Sequence, residues 1–194
     1  MTTANKITIG RILAIPFFVA QLLYYADNSK ELHRWLALAS FAIAAAFDGV
    51  DGYVARRYNQ RSQLGAFLDP LTDKLLLVAG LLLLTASMPR LERIPRWLTT
   101  LVLGRDVILS AGALIVHHVC GQVRIRPNFV GKLATVLQMA IIVWVLCRWS
   151  GEWLEFLIWG TAVSTGISGA VYLLDGIQQL SASPSSSATP NQKQ

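Results

Sequence analysis

Six stretches of mostly apolar residues, at about 7–25, 34–51, 64–87, 97–119, 128–148 and 153–175, take up most of this 194-residue chain. Each comes close to the roughly 20 residues that a helix needs to cross a bilayer. Each is too long for a strand and rich in Leu, Ala and Ile. A membrane barrel would show short alternating segments instead. The connections, at 27–33, 53–63, 88–96, 121–127 and 150–152, are short and polar. Composition agrees: charged residues make up 14% of the chain, against about 25% in a soluble domain. A hydrophobic content of 54% excludes disorder for most of the chain, and Cys120 and Cys147 are too few for a disulfide scaffold. The expected fold is all-α, a polytopic membrane bundle of six transmembrane helices within residues 1–180. The Ser-, Pro- and Gln-rich stretch 181–194 reads as a disordered tail.

Trp35, Trp97, Trp149 and Trp153 fall near expected helix ends, which suits an aromatic belt at a membrane interface. Packing inside the bundle is the competing reading for any one of them. Residues 1–25 do not read as a cleaved signal, because Arg11 interrupts the apolar stretch and no small-residue cleavage site follows. Six spans put both termini on one side. That side carries Lys6, Arg11, Arg56, Arg57, Arg61, Arg124, Arg126, Lys132 and Lys193; the other carries Lys30, Arg34, Arg90, Arg93, Arg96 and Arg148. The larger basic share favours termini on the cytoplasmic or matrix side. The net charge of +6 suits a surface beside anionic lipids, and nothing in the sequence calls for a nucleic acid partner.

The carboxylates are the informative residues. Asp48, Asp51, Asp69, Asp73 and Asp106 lie in or at the ends of expected spans. One acid at a span centre costs about 2.5–3.5 kcal/mol on insertion scales, so intramembrane acids point to function. Asp48 and Asp51 are three apart and Asp69 and Asp73 four apart, so each pair shares a helical face. The short connection between the two pairs lets four carboxylates converge near one interface. Such a group repels itself unless cations intervene. All-oxygen ligands suit Mg²⁺, Mn²⁺ or Ca²⁺, and with no His or Cys in the set zinc is disfavoured. Gly52 permits close backbone approach, and Arg56 can place a guanidinium on a phosphate. Pro70 fits the first turn of the third helix. The alternative is a set of ion pairs, such as Asp51 with Arg56. The whole set favours a metal-bridged, phosphate-bearing lipid substrate.

The run 48–73 matches D-x2-D-G-x2-A-R-x8-G-x3-D-x3-D at all eight fixed positions: Asp48, Asp51, Gly52, Ala55, Arg56, Gly65, Asp69 and Asp73. This resembles the signature of the CDP-alcohol phosphotransferase family. The resemblance implies six transmembrane helices, a polar cavity open to the cytoplasmic interface, and a homodimer. It implies a centre of two Mg²⁺ or Mn²⁺ ions held by Asp48, Asp51, Asp69 and Asp73, with Asp73 also the catalytic general base. Thr8, Arg11, Asp48, Gly52, Arg56 and Ser62 match positions that bind the CDP moiety. Asn5, Thr8 and Arg11 resemble the family's N-x-x-T-x-x-R segment. CDP-diacylglycerol is the implied donor, in a bacterial or mitochondrial inner membrane with the active site facing the cytoplasm or matrix.

The acceptor alcohol depends on the second half of the chain. Gly104-Arg105-Asp106 and the stretch 123–132 are similar to segments of cardiolipin synthases of the eukaryotic type. Phosphatidylglycerophosphate synthases usually carry Arg-Glu in the fourth span and a further Arg about eight positions on, where this chain has Asp106 and Ala113. The expected acceptor is therefore phosphatidylglycerol, giving cardiolipin and CMP, with glycerol 3-phosphate as the alternative. Arg105, Asp106, Arg124, Arg126 and Lys132 are the candidate acceptor-binding residues. Two competing readings are a structural Arg105–Asp106 pair and a Lys132 that snorkels to the interface. Lys132, Thr135 and Gln138 are spaced to share roughly one face of the fifth span. An ion-coupled transporter is the rival of another class; it predicts acids at mid-membrane and an internal repeat.

Overall fold

Each apolar stretch becomes a helix: α1 (Thr3–Asn28), α2 (Glu31–Tyr58), α3 (Gln63–Thr85), α4 (Arg96–Cys120), α5 (Phe129–Cys147) and α6 (Gly151–Ser181). This computed structural model describes the backbone of residues 3–58, 63–86, 88, 90–120, 129–149 and 151–181. Side chains are described for residues 10, 12–47, 72, 74–86, 88, 90–112, 114, 129–149 and 151–177. Among the described residues there is no strand. The tail 182–194 lies outside them.

The helices run past the apolar stretches that announce them. α2 continues to Tyr58, so most of the expected connection 53–63 is helical. The apolar pattern stops where polar side chains meet water, but backbone hydrogen bonding does not need to stop there. α3 begins at Gln63, which puts Pro70 about two turns in rather than in the first turn. Pro16 likewise lies inside α1. Within a membrane bundle such prolines are tolerated because neighbouring groups satisfy the freed carbonyl.

At one end of the bundle the chain reverses through three residues with left-handed backbone, Ser29 (φ 52°), Arg90 (φ 59°) and Arg148 (φ 56°). Ser29 N–H donates to Tyr25 C=O at 2.9 Å, which closes α1 and leaves a two-residue turn into α2. α5 ends in a Schellman arrangement, with Arg148 N–H to Val145 C=O at 3.1 Å and Trp149 N–H to Trp144 C=O at 3.3 Å.

α1 packs along α2 and against α3; α6 packs against both α4 and α5. Contacts of α5 with α2 and α3, and of α3 with α4, join the two halves. The core runs through Phe18, Leu22, Phe41, Leu81, Leu84, Leu98, Ile141, Ile142 and Leu146, all nearly inaccessible. Phe18 and Phe41 meet with ring centroids 5.5 Å apart.

The bundle departs from a soluble protein in an apolar surface and in polar side chains set within its apolar core. Leu13, Leu32, Val107, Leu114, Val136, Phe156, Leu174 and Ile177 are exposed, whereas Arg34, Ser40, Thr99, Gln138, Thr161, Ser164, Thr165 and Ser168 are buried. Exposed apolar surface on this scale needs a cover other than water, and polar residues turned inward are what helices in lipid do. α5 and Gly151–Ile177 of α6 are long and apolar enough to cross a membrane. Ile12–Asn28 and Lys74–Thr85 are shorter apolar stretches. Trp35, Trp97, Trp149 and Trp153 all lie exposed at helix ends.

Candidate active site

The signature is carried by two helices in contact. Asp48, Asp51, Gly52 and Arg56 belong to α2; Asp69 and Asp73 belong to α3. At 1.5 Å rise per residue, each acid pair spans about one turn of its helix. Thr8 and Arg11 belong to α1. The side chains of all these residues, and Ser62, Arg124 and Arg126 altogether, lie outside the described residues. The four carboxylates belong to two adjoining helices, and carboxylate oxygens are the donor chemistry that Mg²⁺ and Mn²⁺ take.

Arg105, Asp106 and Lys132 are described in full. The Arg105 side chain is mostly buried, and its guanidinium is gripped from several directions. Nη1 donates to Asp106 Oδ1 at 2.7 Å, and Nη2 donates to Ser168 Oγ of α6 at 2.8 Å. The guanidinium carbon lies 6.0 Å from the centre of the Tyr172 ring. Gly131 of α5 backs it: a Cβ there would stand 3.1 Å from Arg105 Nη2 and equally close to Ser168 Oγ. Among the described residues, buried Arg105 Nε has no hydrogen-bond partner. Asp106 also faces Lys74 Nζ of α3 at 3.9 Å. Arg105 and Asp106 are thus the ion pair that the alternative reading of the sequence describes, but one with an unused buried donor.

Lys132 is exposed, Thr135 is half-buried and bonded back to Gly131 C=O at 3.1 Å, and Gln138 is buried. The three therefore do not present one surface: α5 turns Gln138 inward and Lys132 outward. Sequence reasoning does not find Lys74, Gly131, Ser168 and Tyr172 as partners of the Arg105–Asp106 pair. The spacing between Arg105 and Ser168, on separate helices, leaves no local pattern to read.

The opposite end of the bundle holds a second charged group. Glu31 accepts from Arg34 Nε at 2.8 Å and from Arg148 Nη2 at 2.9 Å, and Arg90 Nη1 stands 4.0 Å away. Arg34 Nη1 donates to Leu146 C=O, and Arg148 donates to the Tyr25 hydroxyl. The Arg34 guanidinium beside Glu31 holds its carboxyl below the ordinary carboxylate range, the Arg148 contact adding to this against partial desolvation.

The chain is 32% identical over 155 residues to a protein of Shigella flexneri serotype 5b named CDP-diacylglycerol–glycerol-3-phosphate 3-phosphatidyltransferase, covering 78% of this chain and 79% of the relative. An Escherichia coli K12 protein of the same name is 32% identical over 154 residues, covering 77% and 79%. These names overturn the expectation of phosphatidylglycerol as acceptor and cardiolipin as product, which rested on two short segments. The physical weakness of that expectation lies at Asp106. Its carboxylate pairs with Arg105, and a glutamate can do the same with one more methylene, so Asp in place of Glu does not discriminate between acceptors. The model of the family described as CDP-alcohol phosphatidyltransferase matches residues 1–167, and the chain belongs to that family.

Proposed function

We propose that this protein transfers the phosphatidyl group of CDP-diacylglycerol to glycerol 3-phosphate, giving phosphatidylglycerophosphate and CMP. The carrying observation is the complete eight-residue signature, Asp48 to Asp73, in a chain similar over three-quarters of its length to proteins named for that reaction. The acceptor hydroxyl attacks the phosphorus that bears diacylglycerol. A new P–O bond forms, the pyrophosphate bond to CMP breaks, and the hydroxyl proton passes to Asp73 as general base. Asp48, Asp51, Asp69 and Asp73 would hold two Mg²⁺ or Mn²⁺ ions, whose charge would offset that of the pyrophosphate and of the departing CMP. Thr8, Arg11, Gly52, Arg56 and Ser62 hold the CDP moiety, and Arg56 places its guanidinium on phosphate.

Glycerol 3-phosphate brings a dianion into the site, and cations must receive it. Arg105, Arg124, Arg126 and Lys132 supply them, while Asp106 is itself negative and acts otherwise. The protein crosses the membrane six times, with both termini and the signature on the cytoplasmic side of a bacterial inner membrane, and works as a homodimer. The exposed apolar surface of the bundle and the basic residues at the terminal side support the membrane placement.

The test uses purified protein with labelled CDP-diacylglycerol and either glycerol 3-phosphate or phosphatidylglycerol. Product is expected only with glycerol 3-phosphate, and product only with phosphatidylglycerol would overturn the acceptor. Replacement Asp73→Asn should abolish turnover and leave donor binding intact; normal turnover would refute the general-base role.

A further inference from the structure

Arg105 is an unusual burial. Its charge sits between α4, α5 and α6, and two of its three nitrogens are occupied by fixed partners, while among the described residues Nε has none. Burying such a charge is costly unless its partners hold it. The occupied nitrogens set the plane of the guanidinium, and so the direction in which Nε points. Ser168 contributes a neutral partner from α6. Asp106 contributes the charged one, and its carboxylate does not belong to Arg105 alone.

Lys74 immediately follows Asp73, and its ammonium faces the same Oδ1 of Asp106 that receives Arg105 Nη1. Neighbouring residues on a helix diverge by about 100°, so Asp106 leaves the helix on a different side from Arg105, towards α3. The long Arg side chain turns back to meet it. One carboxylate oxygen thereby ties the helix that carries Asp69 and Asp73 to the guanidinium seated between α5 and α6.

We infer that Asp106 is a positioning residue: through the Lys74–Asp106–Arg105 bridge it holds the Arg105 guanidinium in register with the signature helix, so that the guanidinium meets the phosphate of the acceptor. This rests on the proposed reaction, in that the acceptor carries a phosphate. Asp106 does not touch substrate. Its carboxylate fixes the orientation of Arg105 and keeps the isolated charge stable inside the bundle.

The experiment compares wild type, Asp106→Asn, Asp106→Glu and Lys74→Met in detergent or proteoliposomes. It measures KM for acceptor and donor separately, together with kcat and thermal unfolding. Asp106→Asn should raise the acceptor KM by about tenfold or more, the scale of a charge-assisted hydrogen bond to substrate that is no longer aligned. Donor KM should stay near wild type, the unfolding temperature should fall because the Arg105 charge loses its carboxylate, and Asp106→Glu should recover most of both losses. Lys74→Met, at a half-exposed position where folding is not at stake, should raise the acceptor KM in the same direction by less. An unchanged acceptor KM in Asp106→Asn, or equal losses for donor and acceptor, would overturn the inference. If Asp106→Asn does not fold, an unchanged acceptor KM in Lys74→Met overturns the bridge. Wild-type turnover with glycerol 3-phosphate checks the reaction itself. The ratio of variant to wild type, taken with whichever alcohol the wild type uses, checks the bridge, so the two failures are told apart.

Discussion

Replacing Arg34 by Met tests what holds the Glu31 end of the bundle together. Arg34 is 6% exposed, and Nη1 donates to the carbonyl of Leu146 in the last turn of α5. Carbonyls there have no intrahelical partner. The Schellman bonds of Arg148 and Trp149 satisfy Val145 and Trp144, and Arg34 satisfies Leu146 from a different helix. Met keeps the length and apolar stem and removes the donor, so packing changes little. The charge-assisted bond that disappears is worth about 1.5–3 kcal/mol, because the carbonyl stays buried and unpaired. For a chain of this size, about 2 kcal/mol lowers the unfolding midpoint by about 4–8 °C. Glu31 also gives up a partner, but it is exposed to water and keeps Arg148, so this adds little. Thermal unfolding in detergent measures the shift. Maleimide labelling of Cys147, which adjoins Leu146 and is partly accessible, reports local opening of α5 in a Cys120→Ser background. Labelling should be faster in Arg34→Met. An unchanged midpoint with unchanged labelling would refute the reasoning. A shift in Glu31→Gln as large as in Arg34→Met would assign the stability to the surface ion pairs instead.

Acid should weaken the same end. The Glu31 carboxyl titrates below its ordinary value of 4.5 in the folded protein, so its contribution is complete above that value and fades as pH falls through the lowered folded one. The unfolding midpoint of wild type should therefore drop on acidification through this window more than that of Glu31→Gln; parallel profiles would remove Glu31 from the account. Gly131→Ala presses on the Arg105 seat from the opposite side, since the added Cβ would lie 3.1 Å from both Arg105 Nη2 and Ser168 Oγ. Ala favours a helix interior by roughly 0.5–1 kcal/mol, which offsets the crowding, so stability should hardly move while acceptor KM rises several-fold. An unmoved acceptor KM would mean that Arg105 adjusts freely.

Helices are legible because span length and apolar content constrain them strongly, and all six expected segments overlap the helices that form. Their ends are less so. Residues Tyr53 to Tyr58 read as a connection because they are polar, yet α2 continues through them. The polar partners inside the bundle are the least legible. Arg34 and Arg148 count as interfacial charges in the sequence, but one caps α5 and both converge on Glu31. Arg34 and Leu146 are brought together only by the contact of α2 with α5, and no local spacing encodes such a pair. The acceptor is misread for a related reason: short segments around Arg105 carry weight only if the Asp106 carboxylate faces the substrate, and it faces Arg105 and Lys74.

The two charged groups of the bundle differ in a way that bears on function. At the Glu31 end, Arg34 and Arg148 are matched by a carboxylate, a helix-terminal carbonyl and a tyrosine hydroxyl, and His33 Nδ1 pairs with Gln21 Oε1 at 2.8 Å. Around Arg105 the satisfaction is incomplete. Among the described residues, the buried side-chain polar atoms without a partner are Arg105 Nε and Thr165 Oγ1, and Thr165 lies one turn from Ser168 on α6. In a medium without water, polar groups that only hold helices together are expected to be saturated. Saturation at one end is what a structural staple needs. Around Arg105 a buried donor is left over on α4, and Asp106 connects that guanidinium to the helix of Asp69 and Asp73.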